Sequence, residues 1–249
     1  MALIDNIVSY WKFDESSGNA ADSAGSNTLT NNGSMTYSAG VINNGATDIV
    51  ANSKYFSAAD SASLTPSSSG FSWGFWIQVT SITGSQEVLC KVTGATYEYE
   101  IFMSGAGGLI MGLTYSGDGT PANRSQFTTN AAALTAANTW TYIVITAIAS
   151  SNTVIFYVNG SSVASSTILS ASTAVADTAA NFAIGIYDTG TPTAGMTGQI
   201  DEMGLWNRVL SSSEVIELYN GGAGLQYPFA GVSAVGRGGR YLSLLGVGQ

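Results

Sequence analysis

The stretch that decides the fold is Phe71-Ser72-Trp73-Gly74-Phe75-Trp76-Ile77-Gln78-Val79. Phe71, Trp73, Phe75, Ile77 and Val79 recur at every second residue, and only an extended strand places such a set on one face. That face is apolar and heavily aromatic, so it predicts a strand packed on a core. Working outward, Trp140–Ile148 and Thr153–Val158 read as two strands of a hairpin, and Asn159-Gly160 supplies the next turn. Further strands are expected over Ile7–Phe13, Val88–Val92, Tyr97–Met103, Leu109–Tyr115, Phe182–Tyr187 and Gln199–Trp206. Asn32-Gly33, Asn44-Gly45 and Asp118-Gly119 separate them as turns. One helix is expected, over 211–219: Ser211 and Glu214 have capping-box spacing, and Asn220-Gly221-Gly222 ends it. Many strands, one short helix and no βαβ rhythm predict an all-β antiparallel sandwich.

Composition narrows the chemistry. The 249 residues include 7 Lys plus Arg against 16 Asp plus Glu, a net charge of −9, and charged residues make up 9%. Ordinary domains carry about 25%. Hydrophobic residues reach 45%, enough for a sizeable core. The acidic balance argues against nucleic acid, since a phosphate-binding face needs clustered Lys and Arg. Neither a secretory signal nor an apolar run long enough for membrane insertion is expected. There is no histidine, which closes histidine-based triads, zinc sites and thiol–imidazole catalysis. The lone Cys90, in an alternating apolar stretch, reads as a small buried hydrophobe. No dinucleotide fingerprint, P-loop or CxxC pair occurs.

The composition changes after Phe229. Residues 230–249 are rich in glycine, contain Arg237 and Arg240 and no acid, and end in an apolar run. The chain therefore divides into a sandwich, 1–229, and an extended arm, 230–249. The arm's docking residues are expected to be Arg237, Arg240, Tyr241, Leu242, Leu244 and Leu245.

Particular residues then carry a resemblance. Val8-Ser9-Tyr10-Trp11-Lys12-Phe13-Asp14-Glu15, followed by Asp22-Ser23-Ala24-Gly25, is similar to the first strand and loop of laminin-G-like jelly-roll domains. Gly40–Ala46 and the closing Gly198-Gln199-Ile200-Asp201-Glu202-Met203-Gly204-Leu205-Trp206-Asn207-Arg208 fit the same pattern. The resemblance runs from about Ile7 to Asn220 and implies the concanavalin A-like lectin/glucanase superfamily. It implies two curved sheets, a concave face that often meets carbohydrate, and in some members calcium. The matching calcium position is Asp201 with backbone oxygens near Trp11 and Gly45, and Asp14 and Asp22 are further candidate ligands. Carboxylates and carbonyls suit that ion. The alternative is that these acids satisfy backbone donors.

For carbohydrate, Trp76, Gln78, Glu98 and Glu100 are the expected contacts: an aromatic ring stacks on sugar C–H faces, and amides and carboxylates hold hydroxyls. The alternative places Trp76 in a second core layer. Tyr115, Asp118, Asn123 and Arg124 form another candidate rim. Glu98 and Glu100, at i and i+2 on one strand, are expected to share a face, about 6.5–7 Å apart, within the range of about 5 to 9.5 Å that glycosidases use. Laminarinase-like members, however, carry an aspartate between two glutamates, where this chain has Tyr99. The reading is thus non-enzymatic: a bacteriophage virion surface protein, a capsid decoration or tail or head fibre component, displaying a lectin-like sandwich to surface glycans. It would be docked on other virion proteins or copies of itself through residues 230–249. A free-standing or cell-surface bacterial adhesion module is the alternative, and a glycoside hydrolase a third reading.

Overall fold

The computed structural model describes residues 1–50, 53–188 and 191–229. Two antiparallel eight-stranded sheets pack face to face. In the first, β13 (Ser161–Val163), β12 (Thr153–Val158), β11 (Thr141–Ile148), β6 (Phe71–Val79), β18 (Gly198–Trp206), β4 (Asn44–Ile49) and β3 (Tyr37–Ala39) lie side by side, and β1 (Ile7–Trp11) also pairs with β18. The second runs β14 (Ser165–Ser170), β10 (Arg124–Thr129), β9 (Ile110–Ser116), β8 (Thr96–Gly105), β7 (Gly84–Thr93), β15 (Phe182–Ile184), β5 (Tyr55–Ala58) and β2 (Thr30–Asn32). A small hairpin, β16 (Tyr187–Asp188) with β17 (Pro192–Thr193), flanks β7. Among the described residues no helix is long and apolar enough to cross a membrane.

The five alternating residues of β6 are fully buried between the sheets, as their period requires. Across from them lie Tyr99, Ile101 and Met103 of β8 and Leu113 of β9. Trp11, Trp73 and Phe182 form a cluster of near-parallel rings, with Phe182 5.7 Å from each indole and the two indoles 6.4 Å apart. Such aromatic contacts add to area burial, which dominates the stability of a sandwich.

The helix α1 spans Ser212–Tyr219. Its capping box is complete: Ser211 Oγ accepts from the Glu214 amide, and the Glu214 carboxylate accepts from the Ser211 amide at 2.8 Å. Asn220 ends it in the left-handed region, at φ 49°. The strands missed by pattern alone, β2, β3, β4, β5, β10, β13, β14 and β17, are short or rich in Ser, Thr and Asn, and Asn44-Gly45, expected as a turn, opens β4 instead. The arm residues Arg237, Arg240, Tyr241, Leu242, Leu244 and Leu245 lie outside the described residues.

Candidate functional site

Each sheet has an outer face, and the two are used differently. On the first sheet Ser72, Gly74, Trp76 and Gln78 point away from the inter-sheet core. Trp76 is nevertheless only 3% exposed. Tyr142 and Tyr219 flank it, with ring centroids at 5.0 and 5.7 Å, and Val215 and Leu218 of α1 close the layer with Val144, Tyr157 and Trp206. The N-terminal Leu3 and the segment Leu225–Phe229 cover the rest. Trp76 thus belongs to a second core layer and offers no ring to a sugar. Gln78 sits on this same sheet opposite Gln199, whereas Glu98 and Glu100 are on the second sheet. The four residues expected to form one groove are therefore not brought together.

Nor do Glu98 and Glu100 share a face. The pairing of β7 with β8 slips between Lys91–Tyr99 and Val92–Tyr97, so Glu98 is the extra residue of a β-bulge. Glu98 turns inward, fully buried, and its carboxylate accepts from Lys91 Nζ at 2.5 Å, from Thr65 Oγ1 at 2.9 Å and from the Thr178 amide at 2.7 Å. Asp60 approaches Lys91 at 2.7 Å. Asp60, Glu98 and Asp177 are the acidic group of the described residues whose oxygens converge, within 4.8 Å of one another, enough to hold a metal. In this structure the fully buried Lys91 ammonium brings the positive charge there.

Glu100 stays on the outer face. It lies in a register row, Ala183–Cys90–Glu100–Thr114–Gln126–Leu169, that crosses β15, β7, β8, β9, β10 and β14. A second row runs Glu87–Phe102–Gly112–Thr128. Tyr97 joins the same face because the bulge shifts it by one residue, and Tyr187 of β16 packs beside it over Cys90 and Val92. Phe102 is half-exposed, its ring tip resting where a side chain at Gly112 would begin: a Cβ there would lie 2.2 Å from Phe102 Cζ. Arg124 and Gln126 are half-exposed on β10.

The electrostatics of this face are unusual for a plain sheet surface. Burial pushes Glu87 well above the ordinary carboxylate range, and the nearby Glu100 charge raises it further. Glu100 is also raised by burial, against the opposing pull of Tyr97, Thr114 and the Arg124 guanidinium. Glu87 Oε1, Tyr97 Oη and Thr114 Oγ1 are buried without a hydrogen-bond partner; the two hydroxyls approach Glu100 but complete no well-aligned bond. Buried polar atoms of native proteins are nearly always satisfied by protein, water or ligand. These three atoms lie beneath the face, shielded from solvent, with Glu100 beside the two hydroxyls and the half-exposed ring of Phe102 next to them.

The acids expected to hold calcium behave otherwise. Asp22 accepts from the backbone amides of Tyr10, Gly25 and Asn27 at 2.8–2.9 Å and so fixes the first loop. Asp14 accepts from the Asn44 amide at 3.1 Å and from Gln226 Nε2 at 2.8 Å. Asp201 Oδ2 accepts from the amides of Val41 and Ile42, at 2.7 and 3.0 Å; its Oδ1 is buried and unpartnered. Calcium takes six to eight oxygens; here N–H donors reach both carboxylate oxygens of Asp22 and of Asp14, and of these three acids Asp201 alone keeps an oxygen, Oδ1, without a partner. The neighbouring Glu202 accepts from Tyr10 Oη and Gln226 Nε2, both at 2.6 Å. Burial raises Asp201 to about 7 and Glu202 to about 8.

The alternative rim also dissolves. Tyr115 points into the core with its hydroxyl on Asn152, and Asp118 ties its own turn through Thr120. Arg124 alone reaches the open face. Cys90 is buried, its thiol donating to the Ile186 carbonyl. Sequence reasoning passed over Glu87, Tyr97, Phe102 and Thr114; the signal available was that Phe102 keeps Glu100's parity along β8.

Residues 50–216 match the Laminin_G_3 family, described as the concanavalin A-like lectin/glucanases superfamily. No curated protein matches the chain in sequence. Among solved structures, the botulinum neurotoxin serotype G binding domain is similar, with a TM-score of 0.66, 16% identity, and coverage of 86% of this chain and 50% of that one. The binding domain of botulinum neurotoxin DC, in complex with SialylT, gives 0.64 at 11% identity, covering 88% and 52%. This chain thus spans about half the length of those domains. Domain 4 of AbnA, a GH43 extracellular arabinanase from Geobacillus stearothermophilus, in complex with arabinotriose, gives 0.61 at 18% identity and covers 85% and 97%. At these identities the likeness is one of fold. With the family match extending over more than half its length, the chain belongs to the concanavalin A-like lectin/glucanase superfamily.

Proposed function

We propose that this chain is a non-catalytic carbohydrate-binding module that receives glycan on the outer face of its second sheet. The observation that carries the reading is the half-exposed ring of Phe102 with the half-exposed Glu100, Arg124 and Gln126 around it on the outward rows, above the buried Glu87, Tyr97 and Thr114. Sugar hydroxyls both donate and accept, which suits a carboxylate, an amide and a guanidinium set side by side. An aromatic ring among a few convergent polar groups is the usual make-up of such sites. The reading draws further support from relatives of the same fold whose structures hold arabinotriose or SialylT. Binding without hydrolysis is supported by the fate of Glu98, which the bulge removes from the face and Lys91 neutralises.

The test is calorimetric titration of a broad panel of plant, bacterial and animal oligosaccharides, with Phe102→Ala alongside. We expect at least one ligand whose affinity falls about tenfold in the variant, a loss of about 1.4 kcal/mol, at unchanged melting temperature. A panel in which nothing binds overturns the reading.

The finer part of the proposal places the module on a virion surface, docked through residues 230–249, and it rests on the sequence of that arm. Deleting the arm should abolish incorporation into particles while the sandwich still folds; unchanged incorporation would sink it.

A further inference from the structure

We propose that the open face of the second sheet selects uncharged, hydroxyl-rich glycans over acidic ones, an inference that rests on the carbohydrate-binding reading above. The ionisable groups facing this surface are Glu87 of β7, Tyr97 and Glu100 of β8, Arg124 of β10, and Tyr187 with Asp188 of β16. Acids outnumber the one cation, and Arg124 is already drawn to Glu100, whose charge it stabilises. Lys91, the other nearby cation, is buried with Asp60 and Glu98 and does not reach the face.

The two carboxylates point the same way. Glu87 and Glu100 are both raised by burial, so each carboxylate lacks the solvation that would steady its charge. A ligand hydroxyl can donate to the half-exposed Glu100 carboxylate and accept from Arg124 or Gln126 in the same pose. A sugar carboxylate or sulfate can only accept, and it would set a like charge against Glu100 in a partly desolvated site, where repulsion is strong. Like charges brought together across an interface exclude the wrong partner more than they weaken the right one. The protein's net charge of −9 adds a longer-range bias of the same sign.

The experiment compares ligand pairs that differ in charge on the full chain: lactose against sialyllactose, galactan against polygalacturonate, and the binders of the broad panel against their uronate or sialylated counterparts. The neutral member should bind at least about tenfold more tightly. Glu100→Gln, which keeps shape and removes the charge, should narrow that ratio to about threefold or less. Arg124→Gln should widen it, and as a half-exposed change on β10 it keeps the test informative if Glu100→Gln folds poorly. Equal or tighter binding of the acidic members, or ratios that neither variant moves, overturns the selectivity and leaves the carbohydrate reading standing. Absence of binding by any saccharide overturns that reading instead.

Discussion

The outer faces of the two sheets start from the same alternation and end as opposites. On the first sheet Trp76 of β6 and Tyr142 and Val144 of β11 point outward, and α1, Leu3 and Leu225–Phe229 fold over them. On the second the outward rows carry Glu87, Glu100, Thr114 and Gln126 around Phe102, and among the described residues Tyr55, Ile186 and Tyr187 pack over Cys90, Val92 and Tyr97 at one side. An antiparallel sheet with one face on the core leaves the other free to meet either water or more protein. Here the chain spends its helix and both flanking segments on one sheet. Among the described residues the other sheet keeps Glu100, Phe102, Arg124 and Gln126 half-exposed on its outer face.

The sharpest way to break this comparison is to empty the covered face. Trp76→Ala removes a buried indole from between Tyr142 and Tyr219 and should lower stability by about 3–5 kcal/mol. The urea midpoint reads it. A loss near zero would mean that α1 does not seal this face and that Trp76 is available to a ligand after all.

Ser211→Ala attacks the same cover from its end. It removes the oxygen that accepts from the Glu214 amide while leaving the Arg208–Glu214 ion pair at 2.8 Å. The expected cost is about 1 kcal/mol, read from the same denaturation curves.

Under the covered face lie Asp201 and Glu202, raised to about 7 and about 8 by burial. A carboxylic acid whose folded value lies above its unfolded one binds its proton more tightly when folded. That stabilisation is complete below the ordinary carboxylate range and is lost as pH rises through 7 and 8. Thermal stability should therefore decline from pH 5 to pH 8.5. Asp201→Asn, whose amide oxygen can still accept from Val41 and Ile42, should flatten the decline and raise stability at the alkaline end. A profile as steep as the wild type's would show that Asp201 does not titrate there.

How much of this could be read from residues alone follows the range of the interactions. The inner face of β6 and the capping box of α1 are local patterns, with periods and spacings contained in nine residues or fewer, and both stand as read. The class of fold and its end motifs were legible for the same reason. The position of Glu98 was not, because the bulge is decided by pairing with β7 and by Lys91, and a one-residue slip reverses every side chain beyond it. Trp76 was ambiguous because its cover comes from Tyr219 and Leu225, well over a hundred residues along the chain. Asp22 shows a middle case: its turn was legible as an alternative to metal binding, and four backbone amides donate to its carboxylate, two of them within that turn.

The smallest expected effect on folding comes from the open face, at Gly112. Its backbone is in an ordinary strand conformation, so alanine is not strained there, yet a Cβ would lie 2.2 Å from the tip of the Phe102 ring. The ring is half-exposed and ends a flexible side chain, so it can swing away. Replacing glycine by alanine within a strand also offsets part of the lost contact. Gly112→Ala should thus change stability by less than about 1 kcal/mol, in contrast to Trp76→Ala on the opposite sheet. Glycan affinity should nevertheless fall toward the level of Phe102→Ala, because the platform has moved while every polar group of the site remains. Such a split between folding and binding is possible only on a face that the fold does not use for its own core. If Gly112→Ala left binding intact and instead destabilised the protein by several kcal/mol, the outer face of the second sheet would be a packing surface like the first.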